Sequence, residues 1–229
     1  MTIRHGLLVY LLLGGWTLRA DVAPDPVVRG TRVEWARLRA DAPYWDRHAA
    51  FDSVFLEFMG AHTSLNIDPE AHWVRADAVD QLCAFPFIFA ANIEALDPRG
   101  RANLAEYLRR GGFILMDLCL EPSITPNTKE SVLDEIRLLL PEFPNLHVTG
   151  LRPSHPVFSS YFQLQGKSNQ LAAIYDGKRV IGMLSLSGLQ CDLANFHRIH
   201  TPVGAAQLLT NIYVYALTGD RAEPASSRP

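Results

Sequence analysis

The chain has 229 residues, 48% of them apolar and 20% charged, with a net charge of −3 at neutral pH. That suits one large domain with its own core. A pI of about 6.2 and the lack of any basic run interleaved with aromatics exclude nucleic acid as a partner.

Residues 1–20 read as a secretory signal peptide. Arg4 and His5 form a basic head, residues 7–16 an apolar run too short for a comfortable membrane span, and residues 17–20 an L-x-A ending before Asp21. The alternative is an uncleaved N-terminal membrane anchor. Either implies export, and so a periplasmic or envelope setting. The three cysteines, Cys83, Cys119 and Cys191, are an odd number, so at most one intrachain bridge forms and at least one thiol remains. Their spacing fits no zinc pattern, and buried, inert thiols are expected.

Residues 21–30 carry Pro24 and Pro26 and read as an extended lead-in to a domain over residues 31–219. Residues 31–39 form a first strand, which ends in a turn at Asp41. Phe51, Phe55, Phe58 and Met59 recur at helical spacing as a core stripe that Gly60 stops. A short strand over 63–67 and another over 72–75 flank Asp68-Pro69. Residues 85–90, FPFIFA, form a strand covered on both faces. Asp97 and Pro98 are an N-cap and first-turn proline for a helix that ends at Gly111, and residues 113–116 form the next buried strand. Strand, helix, strand in this rhythm argues for parallel pairing.

A second amphipathic helix spans 129–140 and stops at Pro141. Residues 146–148 return to the sheet, and Asp176-Gly177 joins two strands as a hairpin. Residues 185–200 read as a long loop. Thr201 and Pro202 open a last helix running to Leu217, although residues 212–217 also have strand propensity. The tail, 220–229, is read as disordered.

Several pieces together resemble the domain of unknown function family DUF4159. They are RLRADAPYWDR (37–47), TSLNIDPE (63–70), FPFIF (85–89), LRRGGFILMD (108–117), LRPSHPVF (151–158) and NIYVYALTG (211–219). The resemblance implies a flavodoxin-like α/β sandwich with a mostly parallel sheet, similar to class I glutamine amidotransferases. It further implies an exported bacterial protein with an envelope partner of the von Willebrand A-type or MoxR-associated kind. The family's Asn-x-Asp pattern is replaced here by Leu186-Ser187-Gly188.

Amidotransferase chemistry is not expected to carry over. It needs a cysteine on a glycine-flanked strand-to-helix elbow, a histidine within reach and a carboxylate to orient the histidine. The stretch Met116-Asp117-Leu118-Cys119-Leu120 has no flanking glycine, and Val157 follows His155-Pro156 where a carboxylate would be needed.

In open α/β sheets ligands bind beyond the strand C-termini, so the candidate crevice comprises Asp41, Tyr44, Trp45, Asn92, Asp117 and His155. Asp117 either serves a ligand or pairs with Arg37, Arg39 or Arg47. Tyr44 and Trp45 beside Asp41 suit a glycan or another small molecule, whereas Trp45 could equally plug the end of the sheet as core. Glu121 is read as solvated, and so are His197 and His200 near Asp192 and Asn195. No metal or cofactor is expected. The first function reading is a non-catalytic binding module. The second is a hydrolase of envelope glycan or a small amide, with Asp117 or His155 as general acid or base.

Overall fold

A computed structural model describes residues 32–41, 45–46, 48–91, 96–117, 136–137, 141–165, 171–194 and 201–218. The expected signal peptide, lead-in and tail lie outside these residues. So do Tyr44, Arg47, Asn92, Cys119, Glu121, Asn195, His197, His200 and most of the helix expected over 129–140.

Seven strands form one sheet in the order β2-β1-β3-β4-β7-β6-β5. They are β1 (Val33–Arg39), β2 (Ile67–Arg75), β3 (Phe87–Ala90), β4 (Phe113–Asp117), β5 (Leu146–Gly150), β6 (Leu171–Asp176) and β7 (Arg179–Ser185). Neighbours from β2 through β1, β3 and β4 to β7 are parallel, while β6 runs antiparallel to both β7 and β5. The expected α/β class with a mostly parallel sheet is the one found. Strands in the middle carry unbroken apolar runs, FIFA in β3 and FILM before Asp117 in β4, because helices cover both of their faces.

On one face Trp35, Phe87, Phe89 and Phe113 pack against α1 (Ala50–His62) and the last helix. Trp35 is the hub, with ring centroids 5.0 Å from Phe55 and 5.1 Å from Phe87, within the range of favourable aromatic pairs. The opposite face sets Leu38, Ile88, Ile114 and Met116 against Leu82 of α2 (Val79–Cys83) and against Leu104 and Leu108 of α3 (Pro98–Arg109). Helix α3 starts as its sequence dictates. Asp97 accepts a hydrogen bond from the Gly100 N–H at 2.6 Å, and Pro98 fills the first turn. Gly111, at φ 101°, takes the left-handed conformation that closes the helix.

Two further α-helices among the described residues are α4 (Leu189–Leu193) and α5 (Pro202–Thr218). Helix α5 forms despite the strand propensity of its second half, since Ile212, Tyr213 and Ala216 are buried against the sheet. The hairpin at Asp176-Gly177 also forms, with Gly177 at φ 61°.

Three expectations need correcting. Gly60 does not stop α1, which runs to His62 and ends where the Thr63 hydroxyl donates to the Met59 carbonyl. The two short strands around Asp68-Pro69 are one strand, β2. It lies at the edge of the sheet and its register slips between Val33 and Trp35 of β1, the setting in which a strand tolerates proline. The loop read over 185–200 contains α4, which is too short for its period to show.

The chain passes from β1 outward to β2, then back across to β3 and β4 on the other side. Such a reversal opens a crevice beyond the C-terminal ends of β1 and β3. Asp41, just past β1, and Asp117, last in β4, both lie along that edge.

Candidate functional site

Arg39 and Arg75 are register partners at the ends of β1 and β2. The Arg75 guanidinium donates to Asp41 through Nη1 and Nη2, each at 3.0 Å, and through Nε to Asp77 at 2.7 Å. Hydrogen bonding to Arg75, reinforced by its charge, holds the Asp41 carboxyl below the usual carboxylate range. Behind this cluster lies a cavity of about 110 Å³, lined by Arg39, Asp41, Arg75, Asp77, Asp97 and Gly100 among others.

Arg39 joins the cavity to an aromatic wall, since its guanidinium sits 5.5 Å above the Trp45 ring. Trp45 meets Trp73 edge to face at 5.2 Å. Trp45 is half-buried against the core and Trp73 is 58% exposed. Sequence reasoning singled out Trp45 and named Arg39 only as a possible partner of Asp117, but missed Trp73 and Arg75. The strand pairing that brings them together leaves no trace in local spacing.

Asp117 is buried, and its two oxygens accept the backbone N–H groups of Leu189 and Gln190, each at 2.9 Å. It therefore closes the start of α4, where Gly188 at φ 69° turns the chain from β7 into the helix. Arg37 pairs elsewhere. Its Nε and Nη2 donate to Asp52 of α1 at 2.8 and 2.6 Å, and its guanidinium lies 4.6 Å over the Phe89 ring. The Gln190 side chain donates to Asp52 at 2.8 Å, so one buried network runs from β1 through α1 and α4 to β4. Arg37 Nη1 has no hydrogen-bond partner. The signal for Arg37 was present in the sequence: in a strand with period two, it falls on the same face as Trp35.

His155 lies in the segment after β5 and packs against α5. Its Nδ1 accepts the Val157 N–H at 3.2 Å and its ring packs 5.3 Å from Tyr215. Burial pushes its pKa down to about 4, so it is neutral at physiological pH. The structure thus brings Asp41 and Trp45 together through Arg39, places Asp117 farther along the same edge, and engages His155 with Val157 and Tyr215.

Two of the cysteines are described, Cys83 and Cys191, and each is a thiol. Cys191 is buried, with Sγ 3.4 Å from Nε2 of His48. Cys83 is exposed, which corrects the expectation of uniformly buried thiols. It ends the short helix α2, whose only fully buried side chain is Leu82.

Comparison with known proteins bears on this arrangement at the level of family. The family model described as a domain of unknown function, DUF4159, matches residues 34–217. This chain belongs to that family. No curated protein matches the DUF4159 chain. A solved structure described as a cytoplasmic protein of Salmonella typhimurium is similar to it at 11% identity, covering 78% of this chain and 97% of that one with a TM-score of 0.38. So distant a likeness carries no argument. Among the described residues of the DUF4159 domain, no helix is long and apolar enough to cross a membrane.

Proposed function

We propose that this protein is a non-catalytic binding module of an exported, envelope-associated assembly. It takes a neutral polar ligand of the glycan class at the strand ends beside Asp41, Arg75, Trp45 and Trp73. The observation that carries this reading is the state of Arg75. All three of its guanidinium nitrogens donate to carboxylates, Nη1 and Nη2 to Asp41 and Nε to Asp77, so it is a poor fork for a further anion. Arg39, Asp41, Arg75, Asp77 and Asp97 leave the cavity lining close to neutral. An exposed indole face next to hydrogen-bonding side chains suits a sugar ring, which has both an apolar face and hydroxyl groups.

The absence of catalysis is supported by what the two acid–base candidates already do. Both Asp117 oxygens accept backbone N–H groups at the start of α4, so the carboxylate is engaged as a helix cap. His155 Nδ1 is engaged by Val157. Export, an envelope protein partner and kinship with the amidotransferase-like superfamily belong to the same reading. The first rests on the N-terminal layout and the other two on the family resemblance.

The test is a thermal-shift screen of soluble envelope oligosaccharides against organic phosphates and carboxylates, followed by mass analysis of the recovered ligand. An oligosaccharide should raise the melting temperature of the wild type and not of Trp73→Ala, and be recovered intact. Recovery of cleaved sugar, or preference for a phosphate that survives Trp73→Ala, would overturn the reading.

A further inference from the structure

At the other end of the same two strands lies a second polar cluster. Glu34 of β1 and Asp68 and His72 of β2 each offer one ligand atom, and the three atoms lie within 4.8 Å of one another. The geometry follows from the slip in pairing. Val33 is opposite Ile67, but Trp35 is opposite Ala71, so β2 spends extra residues across from Glu34 and bulges there. Asp68 and His72 are four apart on a strand and share a face.

The two Asp68 oxygens are used differently. Oδ1 accepts the Glu70 N–H at 3.0 Å and is 2.7 Å from Arg32 Nη2, whereas Oδ2 faces His72 Nε2 at 3.7 Å. That His72 nitrogen is shut off from solvent and has no hydrogen-bond partner. A distance of 3.7 Å is too long for a hydrogen bond. It is close to the separation of about 3.4 Å expected of two ligands on a tetrahedral ion with bonds of about 2.1 Å. Holding one carboxylate oxygen so that the other is presented is the usual second-shell arrangement around a ligating carboxylate.

We propose that Glu34, Asp68 and His72 bind one zinc-class divalent cation, which pins the bulged start of β2 to β1. An imidazole nitrogen with two carboxylates suits a borderline ion, whereas calcium and magnesium prefer all-oxygen sites and softer ions prefer thiolates. Three protein ligands leave a fourth position to water. The site stands at the N-terminal ends of the strands, away from the strand-end crevice, so its role is to fasten an edge strand. It is independent of the binding function proposed above.

Calorimetric titration of Zn²⁺ into the chelator-treated full chain, paired with thermal melting, tests it. One ion per chain should bind. The affinity should fall at least about tenfold in His72→Ala and in Glu34→Gln, and stay at the wild-type value in His147→Ala, at the opposite edge of the sheet. Zn²⁺ should raise the melting temperature of the wild type and not of His72→Ala, and Ca²⁺ should do neither. If His72→Ala does not fold, Glu34→Gln, which preserves size, supplies the same comparison. Equal affinity in the wild type and these variants, or no rise in wild-type melting temperature, would show that His72 and Asp68 are only a loose ion pair and would overturn the proposal.

Discussion

Arg37 and Asp52 grip each other through two hydrogen bonds in a place that solvent does not reach, with side chains 0% and 1% exposed. Two charges taken out of water are held by each other and by Gln190, and neither can lose its partner cheaply. Asp52→Ala should therefore cost about 3–5 kcal/mol of unfolding free energy, read from denaturant melts. The double variant Arg37→Met/Asp52→Leu removes both charges and should recover most of that loss. A single variant that melts like the wild type would show that the pair contributes nothing.

Asp117→Asn keeps the shape of the side chain but replaces one accepting oxygen with an amide nitrogen, opposite a backbone N–H. Charge-assisted bonds to Leu189 and Gln190 become at best one neutral bond. The expected loss is roughly 2 kcal/mol by chemical denaturation. Unchanged stability would mean that α4 is held by something other than this carboxylate.

Gly182 in β7 is opposite Ile114 in β4, and a Cβ on it would come within 2.6 Å of the Ile114 carbonyl oxygen. The obstruction is backbone in the middle of the sheet and cannot rotate aside. Gly182→Ala should cost at least about 1–3 kcal/mol, and a variant as stable as the wild type would contradict the β4–β7 register.

The acid limb of the stability curve carries the signature of His155. Its pKa in the folded protein is about 4, below the ordinary value of 6.5, so between these values the unfolded chain binds the proton more readily. Stability is fully present above pH 6.5 and falls as the pH is lowered from 6.5 towards 4, by up to about 3 kcal/mol. His155→Asn keeps an acceptor for the Val157 N–H and removes the titration. The difference between its curve and that of the wild type should lie in that window, and coincident slopes there would refute it.

Thiol labelling should separate the cysteines in a Cys119→Ser background. Exposed Cys83 should react at once, and Cys191, buried beside His48, only as the protein unfolds. Rapid modification of both under native conditions would contradict the burial of α4.

The fold was readable because its central strands β3 and β4 are short, apolar but for Asp117 at the end of β4, and bounded by turn residues, and because α3 carries its own cap and stop. Helix α4 was not readable, since five residues after a left-handed glycine show no period. The unity of β2 was hidden by Pro69, which an edge strand with a bulge accommodates. Asp117 was legible as a strand-end carboxylate, but its partners were not. Those at Leu189 and Gln190 are backbone N–H groups, which any residue supplies, so no side-chain type marks them. Asp41 and Trp45 were found from their composition, while Arg75 and Trp73 reach them only through the pairing of β1 with β2. Cys191 was recognised only as one of an odd set of thiols, since its contact with His48 joins residues far apart in the chain.

Helix α4 is fastened by groups 72 and 138 residues upstream, Asp117 through its backbone and Asp52 through Gln190. Ties of that span close late, after the intervening chain has already been ordered. The amide protons of Leu189 and Gln190 should accordingly be among the last to gain protection during refolding, making this single turn a natural reporter of when assembly is complete.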